Sequence, residues 1–103
     1  MKKVNESEVP FKYGSNGPKY LYNEEKFSGG VAHITPGEEL KEHSHADERE
    51  IFYFFKGSPL FMVNGTDIRI RQGDAFTVDV NEKHAIKNDT KETISVHFVK
   101  IKI

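Results

Sequence analysis

The stretch Gly37-Glu38-Glu39-Leu40-Lys41-Glu42-His43-Ser44-His45-Ala46-Asp47-Glu48-Arg49-Glu50-Ile51-Phe52-Tyr53-Phe54-Phe55-Lys56-Gly57 decides the fold. It contains two short extended runs, Leu40 to His45 and Glu50 to Phe55, and neither shows a helical period. In a strand, successive side chains point to opposite faces. Glu50, Phe52 and Phe54 therefore share one face, and Tyr53 and Phe55 take the other. His43 and His45 also project together, about 7 Å apart at their Cα atoms given the strand rise. Two imidazoles at that spacing can converge on one ion at about 2.0–2.2 Å from each nitrogen.

The rest of the chain repeats this punctuation. Val31 to Ile34 follows Gly29-Gly30 and stops at Pro36-Gly37. Leu60 to Val63 leads into Asn64-Gly65, a hairpin signal because a type I′ turn needs positive φ at both central residues. Asp67 to Arg71 alternates charged and apolar residues, and Gln72-Gly73-Asp74 is a further turn. Ala75 to Val80, Ala85 to Lys87 and Thr93 to Lys102 complete the strand set. Close-spaced short strands predict an all-β domain, a sandwich or small antiparallel β-barrel. Residues 1–20 are polar and broken by Pro10, Gly14, Gly17 and Pro18. They read as an arm or lead-in with one short strand around Val9 to Tyr13, ahead of a barrel domain over 21–103.

Composition narrows the function classes. A chain of 103 residues is one domain. Its 36% hydrophobic content, with eight Phe, can fill a small core. A formal net charge of -1 and the lack of a Lys/Arg face argue against nucleic acid and anionic lipid as partners. The absence of cysteine excludes disulfides, thiolate metal sites and cysteine nucleophiles. The Met-Lys-Lys start runs into polar residues, so no signal peptide is expected. No run approaches the roughly 20 apolar residues of a membrane helix. The expectation is a soluble cytoplasmic protein.

His43 and His45 need further donors to make a site. Glu50 lies five residues on, and its carboxylate can reach the same point if the two strands are neighbours. His84 follows the turn-like Asn81-Glu82-Lys83 and can close the set. Taken singly these residues are ordinary: a His-x-His on an exposed strand face, a solvated Glu, a loop His. Together they offer a nitrogen/oxygen donor set suited to Fe, Mn, Co, Ni, Cu or Zn, among which affinity order alone does not choose.

Gly37, His43, His45, Glu50 and Gly57 resemble the first motif of the cupin superfamily. That motif is Gly, five residues, His-x-His, three or four residues, Glu, six residues, Gly. Gly73, His84 and Asn88 fall in register with the second motif. Asp79 stands where that motif usually has Pro, and Asn81 where it has Gly. Asn tolerates left-handed backbone better than most residues.

The resemblance, over about residues 29–100, implies a double-sheet jelly-roll barrel. It also implies one divalent transition metal on His43, His45, Glu50 and His84. Small cupins are often homodimers, and exposed Tyr53 and Phe55 would suit such an interface. The resemblance implies first a metal-dependent oxidoreductase of dioxygenase type acting on a small oxygenated organic molecule, with isomerase, lyase or decarboxylase chemistry as the alternative and Glu50 as a possible base. Non-catalytic cupins that bind or sense sugars and other small molecules also occur, and a purely structural metal staple is a further option. Phe52, Phe54, Phe61, Phe76 and Phe98 are the expected core. Phe52, Phe54 and Ile86 are candidate pocket walls, with His33 and His97 as candidate cavity contacts. Asp47, Glu48 and Arg49 read as a solvated turn, and Arg49 or Arg69 could reach an anionic substrate.

Overall fold

The computed structural model describes residues 1–103. A single 3₁₀ turn at Glu6–Glu8 precedes nine strands. They are β1 (Gly17–Asn23), β2 (Phe27–Ile34), β3 (Glu39–His43), β4 (Glu48–Lys56), β5 (Leu60–Val63), β6 (Thr66–Arg69), β7 (Ala75–Val78), β8 (His84–Lys87) and β9 (Ile94–Lys102). No helix is long and apolar enough to cross a membrane.

The strands form two sheets, ordered β1-β2-β9-β4-β7 and β3-β8-β5-β6. Every pairing is antiparallel. The β5–β6 hairpin turns on Asn64 (φ 48°) and Gly65 (φ 81°), the two positive values its type I′ turn requires. Gly57 also has positive φ, 87°, and a Cβ there would sit 2.5 Å from Ile94 Cγ2. Both backbone conformation and space therefore demand glycine where β4 ends. Asn81 takes φ 63°, filling the left-handed position without glycine.

Alternation along β4 holds residue by residue. Glu50, Phe52 and Phe54 are buried, while Arg49, Ile51, Tyr53 and Phe55 are exposed. Phe52 and Phe54 of this inward set meet Phe61, Ile86, Ile94, Val96 and Phe98 in one apolar cluster between the sheets. Phe52, Phe54 and Phe61 touch edge to face or stacked, with centroids 5.4–6.3 Å apart, and Phe76 packs partly buried against Phe61 at 5.0 Å. Such pairs add about 0.5–1.5 kcal/mol beyond their buried area.

The lead-in segment departs from the expected arm. Val9 to Tyr13 forms no strand. The first strand instead begins at Gly17, before the expected domain boundary, and pairs along β2. The preceding residues lie on the body of the fold: Asn16 Oδ1 accepts from the Thr35 amide at 2.7 Å, and Glu6 Oε2 lies 2.8 Å from His33 Nε2. Polar sequence with Pro and Gly is read as loose lead-in, but these side-chain bonds dock it.

Candidate metal centre

His43 and His84 are cross-strand partners on β3 and β8. His45 lies just past the end of β3, in the bend before β4. Glu50 comes from the other sheet, so it reaches the imidazoles across the barrel interior rather than from a neighbouring strand. The strand-neighbour expectation for Glu50 is thus corrected: the crossover Ser44 to Asp47 carries the chain from one sheet to the other. Ligand atoms of His43, His45, Glu50 and His84 all lie within 4.8 Å of one another.

The three imidazoles turn the same nitrogen inward. His43 Nδ1 lies 2.8 Å from the Lys41 carbonyl, and His84 Nδ1 lies 2.9 Å from the Glu82 carbonyl. A carbonyl only accepts, so each Nδ1 donates its proton and Nε2 is left for the site. His45 Nδ1 stands 3.5 Å from Glu48 Oε1. The three Nε2 atoms sit 4.0, 3.6 and 3.1 Å from Glu50 Oε1 for His43, His45 and His84. Oriented outer partners of this kind are what metal-ligating histidines ordinarily have.

The donors fit a cation. Among buried side-chain N and O atoms, His45 Nε2 has no hydrogen-bond partner. A buried polar atom left unpaired costs about 1–3 kcal/mol. A divalent ion among these four donors would satisfy it, and nitrogen with carboxylate oxygen is a transition-metal donor set.

Protonation follows the geometry. Burial pushes the His43 imidazole down, against the Lys41 carbonyl and Glu50 and with the neighbouring imidazoles, which favours its neutral form. Burial also pulls His84 down, but the hydrogen bond to Glu50 and the Glu82 carbonyl outweigh it and the net shift is upward. The upward direction favours a protonated His84 Nε2 facing Glu50 Oε1, and a metal at these donors would compete with that proton.

A cavity of about 880 Å³ opens beside the cluster. Phe52 and Ile86 line it, with Tyr20, Leu40, Phe98 and Lys100. Phe54 is wholly buried in the core, one step beyond Phe52, and does not face the cavity. His33 and His97 do not reach it either, and strand parity is the reason. On β2, Ala32 and Ile34 point inward, so His33 points out; on β9, Val96 and Phe98 point inward, so His97 points out. His33 Nδ1 instead meets Ser95 Oγ at 2.7 Å and, through Nε2, holds Glu6 of the lead-in. His97 Nε2 meets Tyr22 Oη at 2.7 Å on the outer sheet face.

Glu48 is no solvated turn residue: it begins β4, and its side chain is largely buried beside His45. Arg49 and Arg69 are taken by Asp79 and Asp89 on the surface. Reading the residues missed Lys100 and Tyr20. The available signal was parity, since Lys100 continues the inward series Ile94, Val96, Phe98. Burial pulls the Lys100 ammonium down, but the Tyr20 hydroxyl and the Glu50 and Glu48 carboxylates outweigh it, so the net shift is upward.

A two-sheet antiparallel barrel with these four donors clustered beside a cavity is a cupin arrangement. The family model for the cupin domain matches residues 30–100, and the chain belongs to that family. It is 38% identical over 55 residues to an oxalate-binding protein of Thermotoga maritima, covering 53% of this chain and 46% of that one. It is 35% identical over 63 residues to the tetracenomycin polyketide synthase protein TcmJ of Streptomyces glaucescens, covering 59% and 42% respectively. The matched segment thus spans less than half the length of each of these relatives.

Among solved structures, a predicted oxalate decarboxylase from Thermotoga maritima superposes with a TM-score of 0.82 at 26% identity, covering 99% of this chain and 100% of that one. A Klebsiella pneumoniae protein with a double-stranded β-helix domain superposes with a TM-score of 0.84 at 18% identity, covering 99% and 90%. The second likeness shows the fold alone.

Proposed function

We propose that this protein holds one divalent transition metal with His43, His45, Glu50 and His84 and acts on a small oxygen-bearing organic molecule in the adjoining cavity. The observation that carries this reading is the buried His45 Nε2, which has no hydrogen-bond partner and stands 3.6 Å from the Glu50 oxygen that the other two imidazoles also face. A bound ion would supply Lewis acidity or, as iron, copper or nickel, redox chemistry. Four protein donors fall short of an octahedral shell, so a substrate oxygen has room beside them.

The chain's own residues do the rest. Phe52 and Phe61, whose ring centroids lie 5.7 and 6.5 Å from that of His84, keep water from the inner side of the site. Glu50 is a candidate base once a substrate takes its place. Dioxygenase-type oxidation is the reaction class we propose first, with isomerase, lyase or decarboxylase chemistry as the alternative. A second copy covering exposed Ile51, Tyr53 and Phe55, and a cytoplasmic setting, belong to the same proposal.

Non-catalytic small-molecule binding is the second reading, favoured by the name of the oxalate-binding relative. Metal analysis combined with O₂ uptake on diketones, catechols and flavonols separates the two. Bound iron, copper or nickel with substrate-dependent uptake supports the dioxygenase. Thermal shifts with oxalate but no turnover support the binder.

A further inference from the structure

Lys100 is a cation on the inner wall that the donor cluster does not use. Its Cα is the direct cross-strand partner of Glu50 on β9 and β4. It follows the buried Ile94, Val96 and Phe98 on the inward side of β9 and lines the cavity. An amino group carried into the barrel loses hydration and needs compensation. In the fold its ammonium makes a single hydrogen bond, donating to Tyr20 Oη at 2.8 Å. An ammonium has three N–H donors. Tyr20 is itself fixed, packed edge-on against Phe98 with centroids 5.2 Å apart. The ammonium is therefore aimed by rigid strands, with donors left over.

Charge defines what those donors would read. A divalent ion with one carboxylate and three neutral imidazoles keeps a positive excess. Lys100 adds a further positive charge, and Glu48, held at His45 Nδ1, offsets it. With a divalent ion in place the inner wall would be cationic, in surroundings where charges are weakly screened.

We propose that Lys100, positioned by Tyr20, is a substrate-binding residue that selects small α-oxygenated carboxylates over neutral molecules of the same shape. The inference rests on the metal-site reading above and deepens it. The carboxylate would accept a charge-assisted hydrogen bond from Lys100 while its neighbouring oxygens face the ion that the four side chains would hold. Such bonds are about twice as strong as neutral ones.

The test uses Co(II)-loaded protein, with cobalt measured in every sample. Oxamate and oxamide, nearly equal in shape but differing by one charge, are titrated calorimetrically into wild type, Lys100→Met, Lys100→Arg and Tyr20→Phe. Cobalt content is expected to hold in all four. Lys100→Met should weaken oxamate by about tenfold or more and leave oxamide within about twofold. Lys100→Arg should recover much of the oxamate affinity, and Tyr20→Phe should give a smaller loss. Oxamate affinity unmoved in Lys100→Met with cobalt retained would overturn this inference alone, as would equal loss of both ligands. Wild type that holds no cobalt would overturn the site reading and this inference with it.

Discussion

His43 and His84 face each other across β3 and β8 with ring centroids 4.2 Å apart, while Glu50 meets them from the opposite sheet. The cluster therefore bridges the two layers of the barrel. Any ion bound there ties the sheets together and stabilises the folded state by mass action. At a free metal concentration of about 100 times Kd the gain is roughly 2.7 kcal/mol. In a domain of this size each kcal/mol moves Tm by about 4–8 °C. Thermal melts with and without a chelator should differ by roughly 10 °C or more, and coincident melts would contradict the bridging role.

Glu48 tests how the outer partners matter. Its carboxylate lies 3.5 Å from His45 Nδ1 and orients that ring. Glu48→Ala should weaken metal binding by about 10–100-fold without abolishing it, the usual cost of losing such a partner. A metal titration with a competing chromophoric chelator reads the difference.

Asn88 carries a structural load. It is fully buried, and its amide donates to the Ile34 and Glu92 carbonyls while its oxygen accepts from Thr90. Asn88→Ala leaves those groups without their partner at about 1–3 kcal/mol per buried group. Urea unfolding should show a midpoint lowered accordingly, with an unchanged slope.

The docked lead-in predicts a pH dependence. The hydrogen bond from His33 holds the Glu6 carboxyl below its ordinary range against the cost of burial, with the His33 and Lys19 charges adding to the effect. A carboxylate depressed in the folded state contributes stability above its unfolded pKa and loses it as pH falls through the folded value. Docking should persist above about pH 4.5, the ordinary Glu value, and loosen below it. Hydrogen exchange of residues 5–13 at neutral and acidic pH measures this. Glu6→Gln should flatten the dependence.

The outer face of the larger sheet exposes Ile51, Tyr53 and Phe55 on β4, with Phe27 and Ile101 beside them. These apolar side chains are the face that the proposed second copy would cover. Wild type should sediment as a dimer at micromolar concentration, and Tyr53→Lys should shift it to monomer. A monomeric wild type would contradict the homodimer.

Much of this architecture was legible in the chain. Alternation in Glu50 to Phe55 gave the inner and outer faces of β4, and Asn64-Gly65 gave the β5–β6 turn. Motif spacing brought His43, His45, Glu50 and His84 to one neighbourhood. It did not reveal that Glu50 comes from the opposite sheet, because sheet assignment depends on where the chain crosses, and Ser44 to Asp47 carries no signal for it. The faces of His33 and His97 were not fixed because single strands with mixed polar residues leave the inward parity open until their partners are known. Phe54 lies too deep because the cavity stops at Phe52. Tyr20 escaped notice because it falls in the polar lead-in, and Lys100 because the last run was read for strand composition and not for its inward parity.

The most direct test of the metal centre is elemental analysis of unsupplemented protein beside single-donor variants. Wild type should carry close to one transition-metal ion per chain, and His43→Ala, His45→Ala and His84→Ala should each lose most of it while staying folded by circular dichroism. Metal content that is negligible in wild type, or unchanged when these imidazoles are removed one at a time, would contradict the account.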